Sequence, residues 1–449
     1  MKKQSKLYEE LIKYGYVFSV KKSMAIYISS MCFVLFLGKF FGLGAVFQAV
    51  LCVYTLILMP FFYRNSLKNR YEQKRFSDIN IYMEQFLYSF NKTGKIVETI
   101  QDVKLLFEEG EMRNLLDEVL NHILHTYNES EVEKNALKII EEKFPYSGVK
   151  TMHSFALQVE KNGGKYNRQI RLLLEARRMW ADRMYALLKE KKKQRTEILL
   201  SIIVSLLLCT MIYYISEDMQ TLVADNAIVQ LVTLLVLMLD LMIYYFADKK
   251  LSCDYIADIE DESEYIKQYE RLKQYDDKRL IDRLAKRAAI KNLNRVFEEK
   301  FPAWLMQVSL LLQTENVHMA IIKSYNDASE IIKEPLKQMI YEMEENPESM
   351  SPYINFLSEF TLPEVRSSMK MLHSLSEGSG GDAEIQIEDI IRRNQRLLEQ
   401  AAKMENEDIV ARMYLLFLAP QITGGVKLIC DMLFFFMSYM QTLTNGNTF

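Results

Sequence analysis

Apolar residues gather in four blocks along this chain, and between the blocks they recur every three or four positions. Residues 25–63 (AIYISSMCFVLFLGKFFGLGAVFQAVLCVYTLILMPFFY) are nearly all apolar, with a glycine-rich break from Gly38 to Gly44. Each side of the break offers about 20 residues, enough to cross a hydrocarbon core of about 30 Å. ILLSIIVSLLLCTMIYYIS (198–216) and AIVQLVTLLVLMLDLMIYYFA (227–247) form a second pair around a short polar turn. The last block, RMYLLFLAPQITGGVKLICDMLFFFMSYM (412–440), is interrupted by Pro420, Gly424, Gly425 and Lys427. The pattern predicts five transmembrane helices.

The polar regions read as helices. There is no glycine between Lys165 and Glu377, and prolines are sparse, whereas strands need frequent turn residues. From Gln169 the chain runs into the third span without a breaker, with apolar positions at Ile170, Leu173, Leu174, Trp180, Ala181, Met184, Leu187 and Leu188. These spacings define one stripe on a long helix. Upstream, INIYMEQFLYSFNK, ETIQDVKLLFEE, NLLDEVLNHILHTY, VEKNALKIIEEKF and VKTMHSFALQVEK predict shorter amphipathic helices, a bundle. Downstream, FPAWLMQVSLLLQ, HMAIIKSYNDASEII, PLKQMIYEMEE, SPYINFLSEF and VRSSMKMLHSLSE repeat the plan.

Each bundle closes on a similar phrase, EKNGGKYNRQI (160–170) and EGSGGDAEIQI (377–387), 217 residues apart. That offset also matches Met152 with Met369, and Phe86 with Trp304 falls close to it. Bundle, Gly-Gly turn, long helix and membrane span are thus expected twice, as an internal duplication. The expected fold class is an all-α, polytopic helical membrane protein with two duplicated cytoplasmic bundles. Its segments are 1–22 (N-terminal), 23–63 (hairpin of helices one and two), 64–196 (first bundle with its long exit helix), 197–247 (second hairpin), 248–297 (charged connector), 298–411 (second bundle) and 412–441 (fifth span).

Charge sets the expected orientation. RNSLKNRYEQKR after the first hairpin, KEKKKQR before the second and the Lys249-Lys250 exit are basic, while the turn SEDMQTLVADN has no Lys or Arg. Basic flanks stay cytoplasmic, so the N-terminus and both bundles are placed there. No cleaved signal peptide is expected, since the first apolar stretch is a hairpin without a clear cleavage site. A formal net charge of −3 gives no sign of a nucleic-acid partner. Cys32, Cys52, Cys209, Cys253 and Cys430 show no metal-ligand or disulfide spacing and read as packing residues.

A helical bundle ending in a glycine turn, followed by a long helix entering the membrane, resembles the type II secretion system F family. These are the platform proteins of type II secretion, type IV pili and tight-adherence (Flp) pili. KTGKIVETI (92–100) is similar to the family's glycine-marked helix junction, with Gly94 at the matching position. FALQVEKNGG and SLSEGSGGD are similar to its turn before the last helix, matching Gly163, Gly164, Gly380 and Gly381, which become hinge candidates. Residues 1–247 carry the resemblance best. The second copy departs from it, with Thr314-Glu315 where the first has Thr93-Gly94. The resemblance implies a protein of the bacterial inner membrane that is not an enzyme and needs no cofactor. Its implied partners are a hexameric assembly ATPase, pilin or pseudopilin subunits, and a second platform protein or copy of itself.

No catalytic constellation stands out. SFNKTGK (89–95) lacks the first glycine of a phosphate loop and follows a helix, not a strand. Glu118, His122, His125 and Glu129 share one stripe, but it lies opposite the apolar one and reads as a solvated face. The intramembrane charges Asp240, Lys427 and Asp431 need an explanation, because an ionisable group in a bilayer is costly unless paired or facing a polar cavity. Lys427 and Asp431 are spaced for a local pair, with Asp240 a second partner for Lys427 across helices; the functional alternative is a proton or substrate path. Lys189, Lys191, Lys192, Lys193 and Arg195 are expected to fix topology and meet lipid headgroups, or to contact a cytoplasmic partner. A small-solute transporter and a non-catalytic membrane sensor or scaffold are the alternative function classes.

Overall fold

A computed structural model describes residues 20–126, 131–163, 166–213, 226–252, 262–272, 280–312, 315–378 and 383–446. Helices account for nearly all of them, and there is no strand among the described residues. In chain order they are α1 (Val20–Phe40), α2 (Ala45–Thr93), α3 (Ile96–Lys104), α4 (Glu111–His125), α5 (Val132–Lys143), α6 (Ser147–Asn162), α7 (Asn167–Tyr213) and α8 (Ala227–Leu251). There follow α9 (Ser263–Leu272), α10 (Leu280–Leu311), α11 (Val317–Ser324), α12 (Glu330–Glu345), α13 (Ser351–Asn355), α14 (Pro363–Ser376) and α15 (Ala383–Gly446). The described residues fall into two units, those within Met1–Phe76, Met184–Tyr255 and Asn406–Phe449 and those within Ser77–Arg183 and Ile256–Glu405.

Three helices do not stop where the hydrophobic pattern changes. The expected boundaries at 63, 196 and 411 fall inside α2, α7 and α15, because a helix ends at a breaker or a cap and none lies there. α2 is 49 residues long and contains Pro60, while α15 is 64 residues long and passes through Pro420 as one helix. The charged connector likewise does not end at 297: α10 begins at Leu280, and Leu272, Ala289, Leu293 and Val296 already belong to the second bundle's core.

In the first unit, α1, the opening of α2 and the apolar parts of α7 and α8 surround a small core in which Val34, Phe41, Leu51, Cys209, Leu234 and Leu237 meet, while Leu416 and Phe417 of α15 pack against Ile198, Ala247 and Leu251. Ala45–Thr93, Ala227–Leu251 and Tyr414–Gln441 are each long and apolar enough to cross a membrane, and Met24–Phe40 is a shorter apolar helix. The described apolar part of α7 runs from Ile198 to Tyr213. The expected polar turn after it lies outside the described residues apart from Asn226, whose side chain caps α8 by accepting from the Ile228 N–H at 2.9 Å.

In the second unit the two bundles bury corresponding positions. Ile79, Met83, Phe86, Leu87 and Phe90 of α2 are buried, and 218 residues on so are Phe297, Phe301, Trp304, Leu305 and Val308 of α10. Ile96, Thr99, Ile100 and Val103 of α3 correspond, 221 residues on, to Val317, Ala320, Ile321 and Ser324 of α11. Met112, Leu115, Leu116 and Val119 of α4 correspond, at 220, to Ile332, Pro335, Leu336 and Met339 of α12. Val149, Met152, His153 and Ala156 of α6 correspond, at 216, to Val365, Ser368, Met369 and Leu372 of α14. At this offset Met369 stands opposite His153, one residue from the Met152 that the 217-residue offset pairs it with.

Candidate functional site: a polar seam in the apolar unit

The first unit carries its apolar side chains outside and much of its polarity within. Leu200, Leu207, Ile422, Ile429 and Phe436 are exposed, whereas Ser201, Ser205, Asp240, Lys427 and Asp431 are buried. α7 and α15 meet along this seam in parallel. Ser201 donates to the Phe417 carbonyl at 2.8 Å, Ser205 to the Pro420 carbonyl at 2.6 Å and Cys209 to the Gly424 carbonyl at 3.6 Å. Small residues one turn apart let two backbones approach this closely. A Cβ added at Gly424 would lie 2.1 Å from Ser205 Oγ, so the approach depends on that glycine. Pro420 has no N–H, which leaves the Leu416 carbonyl without its helical donor at the same level.

One turn further along α15 sit the charges. Lys427 and Asp431 form a direct ion pair, with residue exposures of 4% and 3%. Asp240, on α8 and 3% exposed, is not the partner of Lys427; its Oδ1 is 2.8 Å from the Thr423 hydroxyl. Asp240 Oδ2 and Asp431 Oδ1 have no hydrogen-bond partner. Gln230 adds to the polar interior, its Oε1 accepting from the Gly44 N–H at 3.0 Å, and the half-buried Gln48 ties α2 to α1 by donating from Nε2 to the Leu35 carbonyl at 2.9 Å.

The basic cluster divides by helix face. Lys191 is buried, and Arg195 bonds Asp248 at 2.9 Å and Ser252 at 3.3 Å, tying α7 to the end of α8. Lys189, Lys192 and Lys193 are exposed, with Lys193 near Glu190 and Glu197. Only the outward three are free to meet a lipid or protein surface.

Of the hinge candidates, Gly94 and Gly163 are described; Gly164, Gly380 and Gly381 lie outside the described residues. Gly94 ends α2 at φ +66, its N–H bonds the Phe90 carbonyl at 2.8 Å, and an added Cβ would meet the Tyr166 hydroxyl at 2.7 Å. Glu160 then caps α3 from a distance, accepting from the Ile96 N–H at 3.2 Å; burial holds its carboxyl above the usual range, with that N–H opposing. The second bundle lacks this glycine and instead caps α11 locally, through Asn316 and the Met319 N–H at 2.9 Å. Gly163 ends α6 at φ +68 with open space around it. In the second turn the glycine with positive φ among the described residues is Gly378, which the Gly-Gly match passes over.

Sequence reasoning missed a buried relay in the first bundle. His153 lies 2.8 Å from both the Tyr82 hydroxyl and Glu141, and burial, then the Glu141 charge, holds the Tyr82 phenol well above its ordinary range. The only sequence signal was a histidine on the apolar face of α6, with its partners 71 and 12 residues away. Of the Glu118, His122, His125 and Glu129 stripe, Glu129 lies outside the described residues, and no group of three metal-binding side chains occurs among those described. Comparison with protein-family models, curated proteins and solved structures found no match.

Proposed function

We propose that the chain is a non-enzymatic platform protein of a type IV-like pilus, of the tight-adherence kind, or of a type II-like secretion machine. On this reading it sits in a bacterial cytoplasmic membrane as a multi-pass protein, with its N-terminus and both bundles in the cytoplasm. A hexameric assembly ATPase docks on the bundles, and the membrane helices receive pilin or pseudopilin beside a second platform protein or another copy of this chain. The observation that carries the reading is the recurrence of buried positions through four helix pairs taken in the same order. Any two amphipathic helices can be aligned on their apolar faces, but four pairs in the same order, at offsets of only 216 to 221, favour a duplicated bundle. Each copy continues into an unbroken helix, α7 or α15, suited to passing displacement along its length. Transport of a small solute is less favoured, because α15 is continuous through Pro420 where transporters break their helices.

The test is capture of an assembly ATPase by the full-length protein from its native membrane, combined with Gly163→Pro. At φ +68 proline cannot be accommodated, so fibre output should fall while membrane insertion persists. Failure to capture any such ATPase, or normal fibre output from a stably inserted variant, would refute the role.

A further inference from the structure

The seam between α8 and α15 contains one hydroxyl with two claims on its hydrogen. Thr423 Oγ1 lies 2.8 Å from Asp240 Oδ1 and 2.8 Å from the Pro420 carbonyl oxygen. A threonine hydroxyl has a single hydrogen to donate. If Asp240 is ionised, both neighbours are acceptors and one of the two contacts is oxygen against oxygen. If Asp240 carries a proton on Oδ1, it donates to Thr423, which donates on to the Pro420 carbonyl, and both contacts become hydrogen bonds.

The surrounding charges lead to the same conclusion. Facing the seam are Cys209 from α7, Lys427 and Asp431 from α15 and Asp240 itself from α8; Cys52 of α2 lies in the adjoining core, and Tyr244, one turn on along α8, packs on Phe62. The single cation among them, Lys427, is paired with Asp431. An ionised Asp240 would therefore leave a net negative charge buried in an apolar unit, with its Oδ2 unpartnered. A carboxylate so placed takes up a proton more readily than it stays charged.

We propose that Asp240 is a proton-binding site, loaded at neutral pH, whose occupancy decides which way Thr423 donates. With the proton bound, the Asp240 hydroxyl bonds Thr423 and the Thr423 hydrogen goes to the Pro420 carbonyl. When the proton leaves to solvent, that hydrogen turns back to the carboxylate and the carbonyl keeps only Ser205 as a side-chain donor. Proton occupancy is thereby linked to how α15 is held at its proline, next to the Ser205–Gly424 contact. The site is independent of the assembly role, since its protonation can be read without any fibre or ATPase.

Infrared difference spectroscopy on the full-length protein in lipid nanodiscs tests this. The wild type should show a protonated carboxylic-acid carbonyl band at neutral pH, amounting to about one group per chain, whereas a solvated aspartate is ionised there. Asp240→Asn should remove the band, the double variant Lys427→Met/Asp431→Asn should retain it, and Thr423→Val should move it to higher frequency by taking away the acid's acceptor. Absence of any neutral-pH band that Asp240→Asn removes would overturn the proposal. If Asp240→Asn does not fold, Thr423→Val decides alone, and an unshifted band overturns it. A melting temperature raised by sodium but not by choline, and insensitive to sodium in Asp240→Asn, would assign the site to a metal cation and equally overturn the proton.

Discussion

Removing one partner of the Lys427–Asp431 pair should cost far more than removing both. The two residues are 4% and 3% exposed and lie one turn apart on α15, so neither can reach water by a rotamer change. Lys427→Met keeps the length of the side chain and leaves the Asp431 carboxylate buried without a counter-charge; a single deletion of this kind costs about 3–5 kcal/mol. Asp431→Asn strands the Lys427 ammonium, at a similar cost of about 3–5 kcal/mol. The double variant buries no charge and retains only an under-bonded amide, worth about 1–3 kcal/mol. The coupling is therefore several kcal/mol, well beyond the ~0.5 kcal/mol within which independent sites add. Denaturation in mixed micelles can be followed by alkylation of Cys209, which is 2% exposed and bonds the Gly424 carbonyl on the same seam. Cys32, Cys52, Cys253 and Cys430 would be replaced by alanine in all four proteins. Losses that simply add would show that the two side chains do not depend on each other, and the paired seam would have to be abandoned.

Three further outcomes follow from the geometry. Gly94→Ala should destabilise more than Gly163→Ala in thermal melts of the full chain. Both positions have positive φ, a cost of about 1–2 kcal/mol, but only the first brings its Cβ against Tyr166, so Tyr166→Phe should recover part of the loss at Gly94 and none at Gly163. Gly424→Ala should cost about 1–3 kcal/mol by forcing α15 off Ser205, and Ser205→Gly should relieve it if the contact at 2.1 Å is the cause. Tyr269, edge-on to Phe297 and stacked on Phe360, has its phenol pushed up to about 12 by burial, then by the charges of Glu359 and Glu334. The folded state thus keeps a proton that the unfolded chain loses near pH 10, so stability falls as pH rises from about 10 to about 12. Tyr269→Phe should flatten that part of the profile, and an unchanged alkaline slope would exclude Tyr269 as its source.

What the sequence revealed, and what it concealed, depends on the distance over which each feature is determined. The stripe from Ile170 to Leu188 is local, and α7 begins three residues before it and runs unbroken to Tyr213. The same rule applied to α2 would have found its continuity, since residues 64–75 hold no breaker; charge there signals a boundary in the surroundings, not in the backbone. The Lys427–Asp431 spacing was equally local, and so was the i to i−3 relation of Thr423 to Pro420. What no spacing contains is that Asp240, 183 residues from Thr423, competes for the same hydrogen, or that Ser201, Ser205 and Cys209 meet carbonyls 215 or 216 residues on. Those carbonyl offsets nearly equal the 217 residues between the two glycine turns. Helices occupying equivalent places in two copies, packed in parallel about a two-fold relation, bring equivalent positions together, as in an isologous interface. The serine ladder between α7 and α15 thus has the register expected if the proposed duplication of the bundles extends into the apolar helices that follow them; on that proposal, Pro420, Gly424 and the buried charges are where the two copies differ.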